Sequence, residues 1–164
     1  MGEYVASGRH DSDSDAGTRL AVIYLDTFVL GAMFFREPGA AALFERLESV
    51  RKEGLLISAW SLTEMASVAG IKRRTGALDL ENCREAPGHF QRFASAHLRT
   101  TEVEPADFRT AAVLIETPAG RSALRAGDAL HVAIARRLQA RMASLDQRLC
   151  AAADALGLPR FELV

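Results

Sequence analysis

Three short apolar runs, each followed at once by a longer stretch of helical period, constrain this chain more than any other feature. AVIYL (21–25), LLIS (55–58) and RMASL (141–145) are too short for helices, and the first two are bounded by Asp26 and Gly54. A run that is apolar throughout, rather than at alternate positions, suits a strand covered on both faces. The stretches that follow at 27–35, 61–74 and 147–156 have helical spacing. So do 39–52, set off by Pro38-Gly39 and carrying a stripe of Leu43, Phe44 and Leu47, and 127–139. Strands alternating with helices predict an α/β fold, a three-layer α/β/α sandwich around a central, mostly parallel sheet. In such sheets ligands gather beyond the carboxyl ends of the strands.

The remaining segments are read by their punctuation. Ser61 is placed to cap the helix at 61–74, with Glu64 three residues on as its capping-box partner. Residues 78–98 read as a helical pair interrupted near Pro87-Gly88, and 100–103 as a strand. Pro105 opens a helix through Glu116. Gly120 marks a loop, and FELV (161–164) closes as a strand.

Residues 1–20 carry Ser, Asp and Gly without an apolar period and read as a disordered tail, with the natural start expected near Val22; the ordered domain spans 21–164. No apolar run approaches the roughly 20 residues a membrane helix needs, and the first residues lack the apolar core of a signal peptide, so no membrane partner and a cytoplasmic location are expected. Cys83 and Cys150 form neither a CxxC pair nor a Cys/His cluster, which argues against zinc and against a disulfide framework. The net charge of −1 favours no partner. Without residues 1–20 there are 18 bases and 17 acids, and only Lys52 and Lys72 of the bases are lysine. Arginine suits bidentate phosphate contacts, although a base-composition bias gives the same preference.

Four acids stand out. Asp26 ends the first apolar run, Glu64 lies in SLTEMAS, Asp128 opens the apolar helix in LRAGDALHVAIARRL, and Asp146 follows the run RMASL. Each has an ordinary reading: Asp26 as a helix cap, Glu64 as a capping-box acid, Asp128 as an acid favoured by the helix dipole, and Asp146 as an uninformative Ser-x-Asp. Together they say more, since three fall at strand-to-helix junctions and the fourth opens a helix after a strand. Crowded carboxylates repel one another, and a divalent cation removes the conflict. Oxygen-only ligands suit Mg²⁺ or Mn²⁺, ions that orient phosphodiesters and activate water.

At these residues the chain resembles the PIN-domain family, and within it the VapC-like toxins of bacterial toxin–antitoxin pairs. The matching segments are IYLDTFVL (23–30), SLTEMASV (61–68), LRAGDALHVAIA (124–135) and SLDQRL (144–149), the third being the most specific. The resemblance implies that Asp26, Glu64, Asp128 and Asp146 are the catalytic, metal-binding acids, with Thr27 and Ser144 as hydroxyls beside them. It implies a Mg²⁺- or Mn²⁺-dependent endoribonuclease acting on RNA, a homodimer, and a cognate antitoxin packed on apolar grooves, for which Phe34, Phe35 and Trp60 are candidate lining residues or simply core. Phe28 stands where the family often has Ser or Asn, and Ser144 where Thr is commoner.

His131, three residues after Asp128, reads as a buried histidine supporting the site rather than a ligand. His89 and His97 show no ligand spacing. Lys72-Arg73-Arg74 suits RNA phosphates or a solvated helix end, and Asp107 and Asp154 read as surface acids. The competing reading of the whole is a catalytically weak PIN-like module that binds RNA or protein. A phosphatase of the haloacid-dehalogenase type needs Asp-x-Asp after the first strand, where Phe28 stands. A phospho-receiver needs an acidic pair at the end of that strand, where only Asp26 is present.

Overall fold

A computed structural model describes residues 22–77 and 80–163, so the reading of 1–20 as a tail lies outside the described residues. Four strands, β1 (Ile23–Leu25), β2 (Leu55–Ser58), β3 (Arg99–Thr101) and β4 (Arg141–Ala143), form one sheet in the order β3-β2-β1-β4. Every neighbouring pair is parallel, with Ile23 beside Leu55, Leu25 beside Ala143, and Ser58 beside Thr101. The helices are α1 (Thr27–Phe34), α2 (Ala40–Ser49), α3 (Ala59–Arg74), α4 (Leu80–His97), α5 (Pro105–Glu116), α6 (Pro118–Ala123), α7 (Ala126–Arg137) and α8 (Gln147–Ala155).

Side chains alternate across a strand, which divides the core in two. Ile23, Leu25, Leu55, Ile57 and Ala143 pack on α1 to α4, whereas Tyr24, Leu56 and Met142 pack on α5, α7 and α8. This is the three-layer α/β/α sandwich expected from the alternation. The middle of helix α7 is buried on all sides, Ala129 through Ala135 without a break, and those residues are apolar except for His131. Each fully buried aliphatic side chain there contributes about 1.5–3 kcal/mol relative to exposure.

The strand order reverses at β1. The chain steps outward through β2 to β3, then returns to place β4 on the other flank of β1. Helix α1 leaves β1 into one layer and α8 leaves β4 into the other. A crevice therefore opens beyond Leu25 and Ala143, the place where open parallel sheets bind ligands.

The structure corrects several local expectations. Residues 80–97 form one helix, with Pro87 inside it. Ala86, Phe90 and Ala94 make a buried stripe across the proline, and this packing outweighs the roughly 3 kcal/mol that an interior proline costs. Gly120 lies in α6, capped by Thr117, and not in a loop. A Cβ there would stand 1.9 Å from the Leu114 carbonyl oxygen, so glycine is needed for close approach to the end of α5. The FELV segment forms no strand among the described residues. The one bridge to β4 is made by the preceding residue, Arg160, with Met142, and Phe161 adds only its N–H to the Met142 carbonyl, because the three-residue β4 offers a short edge. The capping residue of α3 is Ser58, not Ser61, which occupies the third helical position. Asp107 is buried rather than on the surface. It accepts the Glu104 N–H and a two-pronged bond from Arg137 at 2.8 and 2.9 Å, pinning α5 to α7. Asp154 does lie at the surface, bonded to Arg160.

Candidate active site

Asp26 sits where β1 gives way to α1. Its N–H continues the ladder to the Ala143 carbonyl, and its Oδ1 accepts the Val29 N–H, so it caps α1 as the sequence suggested. Only 1% of the residue is exposed, and no lysine or arginine among the described residues bridges it. Burial pushes its carboxyl up to about 6, against the lowering effects of Ser144, His131 and the backbone amides of Val29 and Phe28. At neutral pH the molecule therefore holds a buried carboxylate that no lysine or arginine among the described residues bridges.

Ser144, at the end of β4, donates its hydroxyl proton to Asp26 Oδ2 at 2.5 Å and accepts the Asp146 N–H at 3.0 Å. Asp146 caps α8, with Oδ1 accepting the Arg148 and Leu149 N–H groups. The two strand-end acids are thus joined through one hydroxyl across the crevice between β1 and β4.

Glu64 lies one and a half turns into α3. Since Ser58 and Ser61 complete the cap between themselves, Glu64 has no capping duty, and its position needs another explanation. Its Oε2 accepts Thr27 Oγ1–H at 2.5 Å and lies 2.6 Å from His131 Nε2. Burial raises the Glu64 carboxyl, but the hydrogen bond and charge of His131, with Thr27 and Trp60, outweigh it and hold the group below its ordinary value. His131 is itself buried, with Nδ1 2.7 Å from the Tyr24 hydroxyl, which donates to Ser58 Oγ at 2.8 Å. A polar chain thus runs from the second core layer to Glu64. On the far side of the carboxylate, Oε1 presses toward Gly127, where a Cβ would stand only 2.7 Å away.

Asp128 opens α7 and accepts the Arg125 N–H at 3.0 Å. It is the acid predicted for the first turn, although α7 follows α6 and not a strand. Only Asp26 and Asp146 occupy strand-to-helix junctions, which corrects the sequence reading.

Asp26, Glu64 and Asp128 line one cleft of about 540 Å³, together with Thr27, Phe28, Gly127, His131, Arg125 and Lys72. Asp146 does not line it and is linked to it through Ser144. Lys72 is tied to Glu37 at 2.8 Å. Tyr24 and Gly127 escaped the sequence reading. The glycine left one signal, since a glycine in a helix's first turn is costly unless another group must approach.

The donor set fits a hard divalent cation. Among the described residues the cleft offers carboxylate oxygens and no thiol, and the imidazole of His131 is already bonded to Glu64 and Tyr24. The charge of buried Asp26, costly by its desolvation, is one such an ion would offset. Among the described residues no three His, Cys, Asp or Glu side chains close into a ready-made ligand cluster, so the acids face the cleft as separate walls.

Phe35 is buried and, with Leu62, Met65 and Phe90, lines an apolar groove between α3 and α4. Phe34 packs edge-on against Phe44, Phe90 and Phe93 as part of the core margin, and Trp60 packs against the second core layer. No helix among the described residues is long and apolar enough to cross a membrane.

A comparison with curated proteins finds no match. Residues 23–155 match the family model of the PIN domain.

Proposed function

Because this chain belongs to the PIN-domain family, whose members are generally nucleases, we propose that it is a Mg²⁺- or Mn²⁺-dependent endoribonuclease and the toxin of a toxin–antitoxin pair. The observation that carries the reading is the meeting of Asp26, Glu64 and Asp128 in one cleft at the strand-order reversal, with Asp26 buried and bridged by no lysine or arginine among the described residues. Asp26, Glu64, Asp128 and Asp146 are the residues proposed to hold the ion. When bound, such an ion orients a phosphodiester and lowers the pKa of attached water.

The chain's own residues supply the rest. Ser144 fixes the direction of the Asp26 carboxylate, and Thr27 and His131 fix that of Glu64. Such supporting bonds commonly change metal affinity or activity by about 10–100-fold. Arg125, exposed at the cleft wall beside Asp128, is a cation available to an RNA phosphate. A cognate antitoxin, a homodimer and a cytoplasmic setting complete the proposal. The α3–α4 groove lined by Phe35 is the surface proposed for the antitoxin.

The test is cleavage of a labelled RNA by the purified protein. Wild type is expected to cut in Mg²⁺ or Mn²⁺ and to stop in EDTA, and Asp26→Asn and Asp128→Asn to be inactive. Cleavage indifferent to chelation and to both substitutions refutes the reading. RNA binding without turnover at saturating Mn²⁺ marks a binding module instead.

A further inference from the structure

Helix α1 is buried along nearly its whole length. Thr27 and every residue from Val29 to Met33 are enclosed, and Phe28 alone projects, 53% exposed. An isolated exposed apolar residue needs no explanation in general. This one is two residues from the buried Asp26 carboxylate, next to the hydroxyl that holds Glu64, and lines the same cleft. It has company there: Ile71 of α3 lines the cleft 47% exposed, beside the partly buried Val68. The cleft therefore has two unlike parts, one of carboxylates with Arg125, the other an aromatic ring with aliphatic side chains.

We propose that Phe28 and Ile71 form a nucleobase subsite, in which the ring of Phe28 stacks on an unpaired base of the RNA strand whose phosphate lies at the acids. The inference rests on the ribonuclease reading and specifies its substrate as a strand with a free base. A phosphodiester is flanked by bases within a few ångströms, so a site with acids and one exposed ring side by side matches both parts of a nucleotide. Stacking on aromatic side chains is how proteins hold splayed bases, and it tolerates any base because each has a π-face. In a duplex the base is already stacked and paired, and freeing it costs a few kcal/mol. The subsite thus selects single strands, loops and bulges without reading their sequence.

The experiment uses a short single-stranded oligoribonucleotide carrying 2-aminopurine at each position in turn, with Ca²⁺ replacing Mg²⁺ so that binding is followed without cleavage. Wild type is expected to quench 2-aminopurine at one position, and Phe28→Trp to retain the quenching. Phe28→Ala should abolish it and weaken binding about tenfold, in keeping with the loss of one stacked base. Phe28→Leu, which keeps the apolar bulk without the π-face, should lose quenching with its melting temperature unchanged. An abasic site at the quenched position should weaken wild type and leave Phe28→Ala indifferent. Equal quenching and affinity in wild type, Phe28→Ala and Phe28→Leu overturn the subsite. If wild type still cleaves RNA in Mg²⁺ and stops in EDTA, the nuclease reading stands without it. If wild type neither binds nor cleaves RNA, both fall.

Discussion

Nε2 of His131 lies 2.6 Å from Oε2 of Glu64, although 67 residues separate the two along the chain. The contact joins α7 to α3 across the cleft floor, and Tyr24 fixes the other face of the imidazole. His131→Ala removes one buried partner each from Glu64 and Tyr24, which keep Thr27 and Ser58, and a lost hydrogen bond of this kind costs about 0.5–1.5 kcal/mol. A lowered melting temperature and a 10–100-fold loss of cleavage are expected, the latter from a carboxylate no longer held in place. Unchanged kcat/KM in a folded His131→Ala variant would show that Glu64 needs no such support.

Asp26 gives the clearest stability prediction. Its folded carboxyl titrates near pH 6, above the ordinary value of 3.8, so the folded state binds the proton more tightly than the unfolded chain. Metal-free stability should therefore be greatest below about pH 4 with respect to this group, and should fall as the pH rises toward 6. Asp26→Asn keeps the shape without the charge. At pH 7 it should be more stable than the metal-free wild type by roughly 2–3 kcal/mol, while losing all cleavage. Urea unfolding in EDTA at several pH values checks this, and a destabilised Asn variant at pH 7 would contradict it.

Glu64 has the opposite sign. Its carboxyl lies below the ordinary 4.5, so its contribution is present above that pH and is lost as the pH falls below it. In Glu64→Gln the acid limb of the stability profile below pH 4.5 should be shallower than in wild type.

Metal binding should restore what Asp26 costs. A ligand bound by the folded state alone raises stability by about 2.7 kcal/mol at a hundred times its dissociation constant. Mn²⁺ is expected to raise the melting temperature of wild type in a concentration-dependent way and to leave Asp26→Asn nearly unmoved. Equal shifts in both would place the ion elsewhere.

Two glycines separate site from scaffold. A methyl group at Gly127 would meet Glu64 Oε1 at 2.7 Å, the end of a side chain that is able to swing away. Gly127→Ala should reduce cleavage strongly with little change in melting temperature. A methyl group at Gly120 would meet the Leu114 backbone at 1.9 Å, where nothing yields easily. Gly120→Ala should lower stability by several kcal/mol, in line with overpacking. The reverse pattern would overturn the distinction.

Much of the fold was legible because it depends on local pattern. AVIYL and LLIS announced buried strands by being apolar at every position, and Pro105 opens α5 as its fixed backbone angle predicts. The misreadings arose where packing overrode a local signal. Pro87 reads as a break until Ala86, Phe90 and Ala94 are seen to bury one stripe. Asp107 reads as a surface acid until Arg137 arrives from α7. Ser61 reads as the cap as long as Ser58 is counted in the strand LLIS, and Glu64 then reads as an ordinary capping acid.

By itself the sequence determined the alternation of strands and helices, the apolar surfaces that bury the sheet on both sides, and the identity of the acids at the ends of β1 and β4. Only the tertiary structure decided that Glu64 and Asp128 face the same cleft as Asp26, that Ser144 spans 118 residues to bond Asp26, and that Phe28 stands alone outside a buried helix. The reason is one of range. Periodicity and capping act between residues a few places apart, whereas the direction of a carboxylate is set by hydrogen bonds from distant segments that meet only when the core closes.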